Sequence, residues 1–370
     1  MIPTASLTLF TLLVSAALTL SGVGSPVAVA HLAFAVGIVP LIFSAISHFV
    51  PVLTRTGDPE SRIRWLPALM QLSGLLLVVT LQGWLPRWVL HPIVTVDLVF
   101  GLILLHWIFA RSRRCLGAPH PGWRWYAAAM ACLLLALLVV PLFTAVPKWY
   151  GPLRAVHLHL NTLGLVGLAA LGTLPVLLPT VLGRGDPQAA AWLRRRLWPA
   201  VAGVVAISVG AGFLWWLAVP GAAILFVVGF GLIGQWVQRY GAARLLRDGA
   251  AASLLAALLG LLFNLTAGVA HGAGLLAARP AIAAWGVGFL LPLVTGALTQ
   301  LLPVWRWPGP VTPARGVMRE KLAATGIWRA VFFLLGGLSV IIGLPLAGGV
   351  FSGAAIALFA LALVSAIRAR

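Results

Sequence analysis

The sequence predicts an all-α integral membrane protein of twelve transmembrane helices, built as three copies of one four-helix unit. Three observations carry that expectation. Apolar stretches of about twenty residues recur from end to end, each long enough to cross a hydrocarbon core of ~30 Å. Hydrophobic residues make up 61% of the 370 and charged ones 8%, with a mean hydropathy of +1.06, a balance foreign to soluble globular domains. One pattern also repeats at fixed spacing. His159 is followed 20 positions on by Pro179, and 6 positions later by Gly185-Asp186-Pro187; His31, Pro51 and Gly57-Asp58-Pro59 keep the same intervals. A third copy, Pro303 followed 6 positions on by Gly309-Pro310, has Ala283 where the histidine would stand.

The first set of four comprises residues 4–23, 27–53, 65–85 and 92–111. Residues 1–23 lack the basic start of a signal peptide and complete the repeat, so they count as a span. The second span carries His31. The third opens on Arg64-Trp65-Leu66-Pro67-Ala68, and the fourth lies between Trp84 and Trp88 on one side and Arg111, Arg113 and Arg114 on the other. The second set comprises 125–147, 152–182, 197–219 and 221–240, and its third member opens on a related Arg196-Leu197-Trp198-Pro199-Ala200. The third set comprises 249–270, 280–303, 323–345 and 347–367, with only Trp328-Arg329-Ala330 left of that opening. The repeats then run approximately 1–120, 121–248 and 249–370 within a single membrane domain. Trp149, Trp305 and Trp307 join the tryptophans near helix ends, where interfacial anchors belong, and the loops leave no room for an appended soluble domain.

Charge orients the predicted bundle. Of 25 lysines and arginines, four (Arg87, Lys148, Arg154 and Arg279) fall on one side, leaving 21 on the other, Arg370 of the tail among them. The positive-inside rule then places both termini in the cytoplasm. The net charge of +19 is accounted for by these short loops and does not point to nucleic acid. Cys115 sits in a basic loop and Cys132 in an apolar run, so the two cysteines imply no disulfide framework.

The side chains able to do chemistry are mostly histidines. Under this topology His31, His157, His159, His91 and His271 all lie near the outer face. Ionisable groups within a membrane are costly and mark sites. His31 and His159 hold the same place in two copies, which selects them as ligands. His157 and His159 stand two positions apart and so point ~200° apart on a helix. The repeat assigns the inward direction to His159, with His157 serving a neighbouring site or orienting a partner. His48, about 25 Å further along the helix than His31, and His106 are candidates for a second, inner site, against the blander reading of satisfied interior histidines. His120 reads as a solvated loop residue. Asp97 reads either as a proton-relay group or as a partner of Arg87 or His91. Asp58 and Asp186, each between glycine and proline beside loop arginines, read as turn formers with a salt bridge. Neutral imidazole suits haem iron and copper alike. No nucleotide-binding loop or Ser/His/Asp arrangement is visible.

The arrangement resembles subunit I of the haem–copper oxidases and nitric-oxide reductases. The run from His157 to Leu182, HLHLNTLGLVGLAALGTLPVLLPTVL, is similar to the sixth-helix region of small relatives of that subunit. The run from His31 to Gly57, HLAFAVGIVPLIFSAISHFVPVLTRTG, is similar to the NnrS family, twelve-helix haem- and copper-containing membrane proteins linked to nitric-oxide metabolism. The resemblance implies that His31 matches the second-helix ligand of a low-spin, b-type haem. It implies that His159, with His157 as the alternative, matches the sixth-helix copper ligand. The chain departs from the pattern elsewhere. The tenth span has no histidine, the seventh lacks the histidine pair, and the sixth lacks the tyrosine. These departures argue against an intact oxygen-reducing centre. His271, just before the tenth span, is the candidate substitute ligand.

The function expected from the sequence is therefore a haem- and/or copper-binding, multi-pass protein of the bacterial inner membrane. Its expected role lies in redox or nitric-oxide/oxygen-related metabolism, short of a complete terminal oxidase. The partners implied are the lipid bilayer and a redox partner or quinol, with no nucleic acid and the oligomeric state left open. Two rivals belong to other classes. One is a transporter of a small solute or metal ion, disfavoured by threefold parallel repeats where many transporters use inverted halves. The other is a non-catalytic assembly subunit of a respiratory complex.

Overall fold

A computed structural model describes residues 1–368; Arg370, counted in the basic tail above, lies outside the described residues. Among those described the structure is helical, without strands. Eleven helices are long and apolar enough to cross a membrane, and the chain is a multi-pass membrane protein. Apolar helices are the form such a sequence must take, because lipid offers no partner to an unpaired backbone N–H or carbonyl.

The chain divides into two compact units, Met1–Gly172 and Thr173–Arg370. In the first unit α1 (Ile2–Ser21), α2 (Pro26–Thr54), α3 (Ser61–Leu81), α4 (Leu90–Arg113), α5 (Gly122–Ala145) and the start of α6 (Pro147–Val181) run back and forth. In the second, the rest of α6 leads into α7 (Ala189–Gly212), α8 (Trp215–Tyr240), the short α9 (Ala242–Arg247) and α10 (Gly249–Gly272). These are followed by α11 (Pro280–Arg306), α12 (Pro313–Ala323), α13 (Gly326–Ile341) and α14 (Pro345–Arg368).

Two predicted spans are redrawn. The seventh, expected over 197–219, straddles a break at Phe213–Leu214, where α7 ends and α8 begins. Three successive arginines, Arg194 to Arg196, occupy the second turn of α7. The apolar remainder, 197–212, is about 24 Å long, shorter than the hydrocarbon core. The eleventh, expected from residue 323, begins at Gly326, and the preceding loop folds into α12, whose Arg319 pairs with Asp248 at 2.7 Å.

Three helices share a feature that periodicity did not reveal. α2, α6 and α11 each contain a π-helical turn, at Leu32–Ile38, Leu160–Gly167 and Gly286–Leu290. The first two begin one residue after His31 and His159, and the third three residues after Ala283. In α2 and α11 proline follows the wide turn closely, Pro40 and Pro292, each nine positions past His31 or Ala283. Proline has no N–H to give the carbonyl four residues back, and its ring crowds that carbonyl. Widening to the π register relieves the clash.

Carbonyls of the first of these turns accept from neighbouring helices. Gln71 Nε2 reaches the Val36 carbonyl at 3.4 Å and Thr8 Oγ1 donates to the Gly37 carbonyl at 2.9 Å. In the third copy Asn264 Nδ2 donates to the Gly260 carbonyl of its own helix (2.7 Å) and reaches the Ala284 carbonyl, ahead of the π turn, on α11 (3.4 Å). Glycine lets the flanking helices come close. A Cβ on Gly74 would stand 2.5 Å from the Ala35 carbonyl oxygen, and one on Gly260 would stand 1.8 Å from that of Gly288. Small residues at such crossings allow the backbone contact that drives packing in lipid.

Candidate metal centre

The wide turns sit just below the histidines, and the first unit brings two of them together. His31 closes the α-helical part of α2 before its π turn, and His157 lies two residues before the end of α6's first segment. Their rings stand 6.4 Å apart, centroid to centroid, with 26° between planes. Each ring is oriented through Nδ1. His31 Nδ1 lies 2.8 Å from the Val27 carbonyl of its own helix. His157 Nδ1 lies 2.8 Å from the Ala136 carbonyl of α5. A carbonyl can only accept, so Nδ1 carries the proton in both rings and Nε2 keeps its lone pair.

The surroundings of His157 hold it further. Phe143 meets its ring edge-on at 6.1 Å. Asn161, one turn on, donates to the His157 carbonyl at 2.8 Å and has its amide nitrogen 3.4 Å from His157 Nε2. The longer of those contacts is weak. His157 is thus fixed by a neighbouring helix and by its own, which is how imidazole ligands are aimed.

The pairing differs from the one the repeat selected. Sequence register assigned the inward direction to His159; the structure sets His157 against His31 and across to α5. His159 is half-buried, with Nδ1 2.8 Å from the Ala155 carbonyl of its own helix. The two rings diverge as a ~200° separation requires. The helix is α-helical through both residues and widens only after them, so neither can swing to join the other.

The remaining histidines are dispersed. His271 is exposed at the end of α10, where its Nδ1 holds the Leu276 carbonyl at 2.7 Å across the following loop. His106 and His91 are exposed on α4. His48 sets its ring against Phe49 at 5.2 Å. His120, expected to be solvated, is half-buried. Its N–H donates to the Leu53 carbonyl at 2.9 Å, and its Nδ1 accepts from Gly122 N at 3.3 Å. Among the described residues no three His, Cys, Asp or Glu side chains gather into one cluster.

Acidic residues complete the inventory. Asp186 accepts from Gln188 N (2.8 Å) and Gln235 Nε2 (2.9 Å) and pairs with Arg239, the turn and salt bridge its context suggested. Glu60 accepts from Trp107 Nε1 at 2.8 Å and pairs with Arg111 at 3.1 Å. Its own backbone N–H, then Trp107 and Arg111, hold its carboxyl down at about 2. Asp97 takes neither of its expected partners: it is buried, with the Ser73 hydroxyl of α3 beside its carboxyl.

No family model matches this chain, and no curated protein does. The fit to a prosthetic group therefore rests on the residues. Two imidazoles supply two nitrogen donors, whereas a bare zinc or copper ion takes three or four ligands from protein. Haem iron brings four nitrogens of its own and leaves two axial positions. The two imidazoles, stacked with centroids 6.4 Å apart, match that number of donors. Of the residues concerned, Ala136 and Phe143 gave no sign in the sequence. Asn161 did, as the polar residue four positions after His157.

Proposed function

We propose that this chain is a haem-binding, multi-pass membrane protein in which His31 and His157 would hold a b-type haem. The single observation that carries the reading is the pair of Nδ1-anchored imidazoles, 6.4 Å apart, on α2 and α6. A bound haem would supply one-electron chemistry, or a place for a small gas if one ligand gave way. The protein's own part is positional. The Val27 and Ala136 carbonyls fix each ring and its tautomer, and the hydrogen bonds to Nδ1 make Nε2 a better donor. Asn161 stands beside His157 Nε2 and would have to turn aside for that nitrogen to hold a metal. Phe143 covers the ring's edge and keeps water from it.

This reading keeps the twelve-span, three-repeat arrangement with both termini in the cytoplasm. The three π turns at related positions support the repeats, and α7 counts as a span whose arginines reach back to the interface. It favours haem over copper because the donors number two. A role in electron transfer or nitric-oxide chemistry follows from the cofactor class and from the resemblance described above, with a quinol or a redox protein as electron source.

The test is an absorption spectrum with metal analysis on protein purified in detergent from haem-replete cells. We expect a Soret band and close to one iron per chain, both lost in His31→Ala and His157→Ala and retained in His159→Ala. Loss in His159→Ala with retention in His157→Ala would transfer the site to the residue the repeat selected. A wild-type protein with neither band nor iron would end the proposal.

A further inference from the structure

The histidine pair leaves one membrane-embedded ionisable group unused. Asp97 lies on α4, seven residues, or about 10 Å, from the end that begins at Leu90, and about 24 Å from the arginine-bearing end. It is 5% exposed. One carboxyl oxygen, Oδ1, is buried without a hydrogen-bond partner, and the Ser73 hydroxyl of α3 lies beside the carboxyl. The three ion pairs among the described residues go to Glu60, Asp186 and Asp248. Asp58 is exposed. Asp97 is therefore the one aspartate of four in this chain that is buried without a cation.

We propose that Asp97 is a proton-carrying site: a carboxylic acid, neutral at rest, that releases and recovers its proton in exchange with the aqueous face at the His91 end of α4. A carboxylate held by one hydroxyl in a low-dielectric span is far costlier than the neutral acid. Protonated, the group needs fewer partners and presents an O–H that Ser73 Oγ can accept. A polar group kept only for structure would have both oxygens satisfied, as Asp186 does, and a buried orphan oxygen calls for a reason.

Position adds to this. Gly74, next to Ser73, lies against the Ala35 carbonyl, and Ala35 is four residues past His31. The carboxyl thus sits about 6 Å, one helical turn, deeper than the histidine pair. Ser73 and Thr80 are seven residues apart and so share a face of α3. Thr80 is buried, and Gln82 lies at the helix end where its Oε1 accepts from Ser25 N at 3.0 Å. Other titratable groups on the elements packed around α4 lie at other levels: His91 and Arg87 toward the helix start, Cys132 and His106 deeper, and His48 and Tyr126 deeper still. The proposal stands apart from the haem reading and needs no metal.

Infrared spectroscopy of the full chain in lipid, labelled with carboxyl-¹³C aspartate, tests it. At neutral pH we expect one protonated aspartate carbonyl band, moved by ¹³C, shifted down after equilibration in D₂O and missing in Asp97→Asn. Ser73→Ala, with unchanged helix content, should raise its frequency by removing the hydrogen bond, which keeps the test open if Asp97→Asn fails to fold. A wild-type protein without that band carries an ionised Asp97 and refutes the proposal. A band unmoved by D₂O reveals a sealed structural acid, and a band unmoved in Ser73→Ala removes the contact on which the assignment stands. Either result overturns it.

Discussion

Substituting Gly74 by alanine probes the link between helix packing and the histidine pair without touching either ring. The added Cβ would stand 2.5 Å from the Ala35 carbonyl oxygen, 2.7 Å from its carbon and 3.0 Å from Val36 N. All three are backbone atoms of the π turn and cannot rotate away. Taking ~3.3 Å as the closest ordinary C···O approach, α3 must retreat by about 0.8 Å. Over-packing of this kind costs ~1–3 kcal/mol, offset in part by the ~1 kcal/mol that alanine gains over glycine within a helix. Gly231→Ala is the control, since its Cβ would meet nothing within 4 Å and should be neutral or stabilising by up to ~1 kcal/mol. The two variants should therefore differ by about 1 kcal/mol or more in apparent stability, read from thermal melts in one detergent. The displacement also reaches His31, one turn away, so Gly74→Ala should lower the haem-to-protein ratio where Gly231→Ala does not. A Gly74→Ala protein as stable as the control, with full haem, would refute the claim that α3 clamps the π turn.

Two further expectations concern the loops. Glu60 has its carboxyl depressed to about 2 by its own backbone N–H and by Trp107 and Arg111. Its ordinary value is ~4.3, so the contribution to stability is complete above that pH and is lost as pH falls through about 2. Melting temperature should fall more steeply with acidification in the wild type than in Glu60→Gln over that window; parallel curves would show that the contacts contribute nothing. Asp186 ties Gln188, Gln235 and Arg239 together. Asp186→Ala should cost ~1–3 kcal/mol by leaving those donors unsatisfied, with greater protease sensitivity after Gly183. An unchanged cleavage rate would contradict that.

Much of the fold was legible because lipid imposes it. Length and hydropathy locate a span whatever it packs against, and the setting of Asp186, between glycine and proline beside loop arginines, gave the loop chemistry away. The seventh span was misplaced because hydropathy runs on through Phe213 and Leu214, where only backbone geometry ends the helix. The partner of Asp97 was illegible because Ser73 lies 24 positions earlier, on another helix. The pairing of His31 with His157 was hidden for a related reason: a repeat ranks positions by register, and register says nothing of which neighbour a ring will meet.

By itself, the sequence determined that the chain lives in a membrane as apolar helices, and which few polar side chains enter it. The cost of an unpaired backbone or a bare charge in hydrocarbon makes both readable from composition and order. Only the tertiary structure decided which imidazoles face each other. That depends on where prolines widen a helix, where glycines let its neighbour approach, and which carbonyl, of its own helix or the next, accepts each ring's N–H.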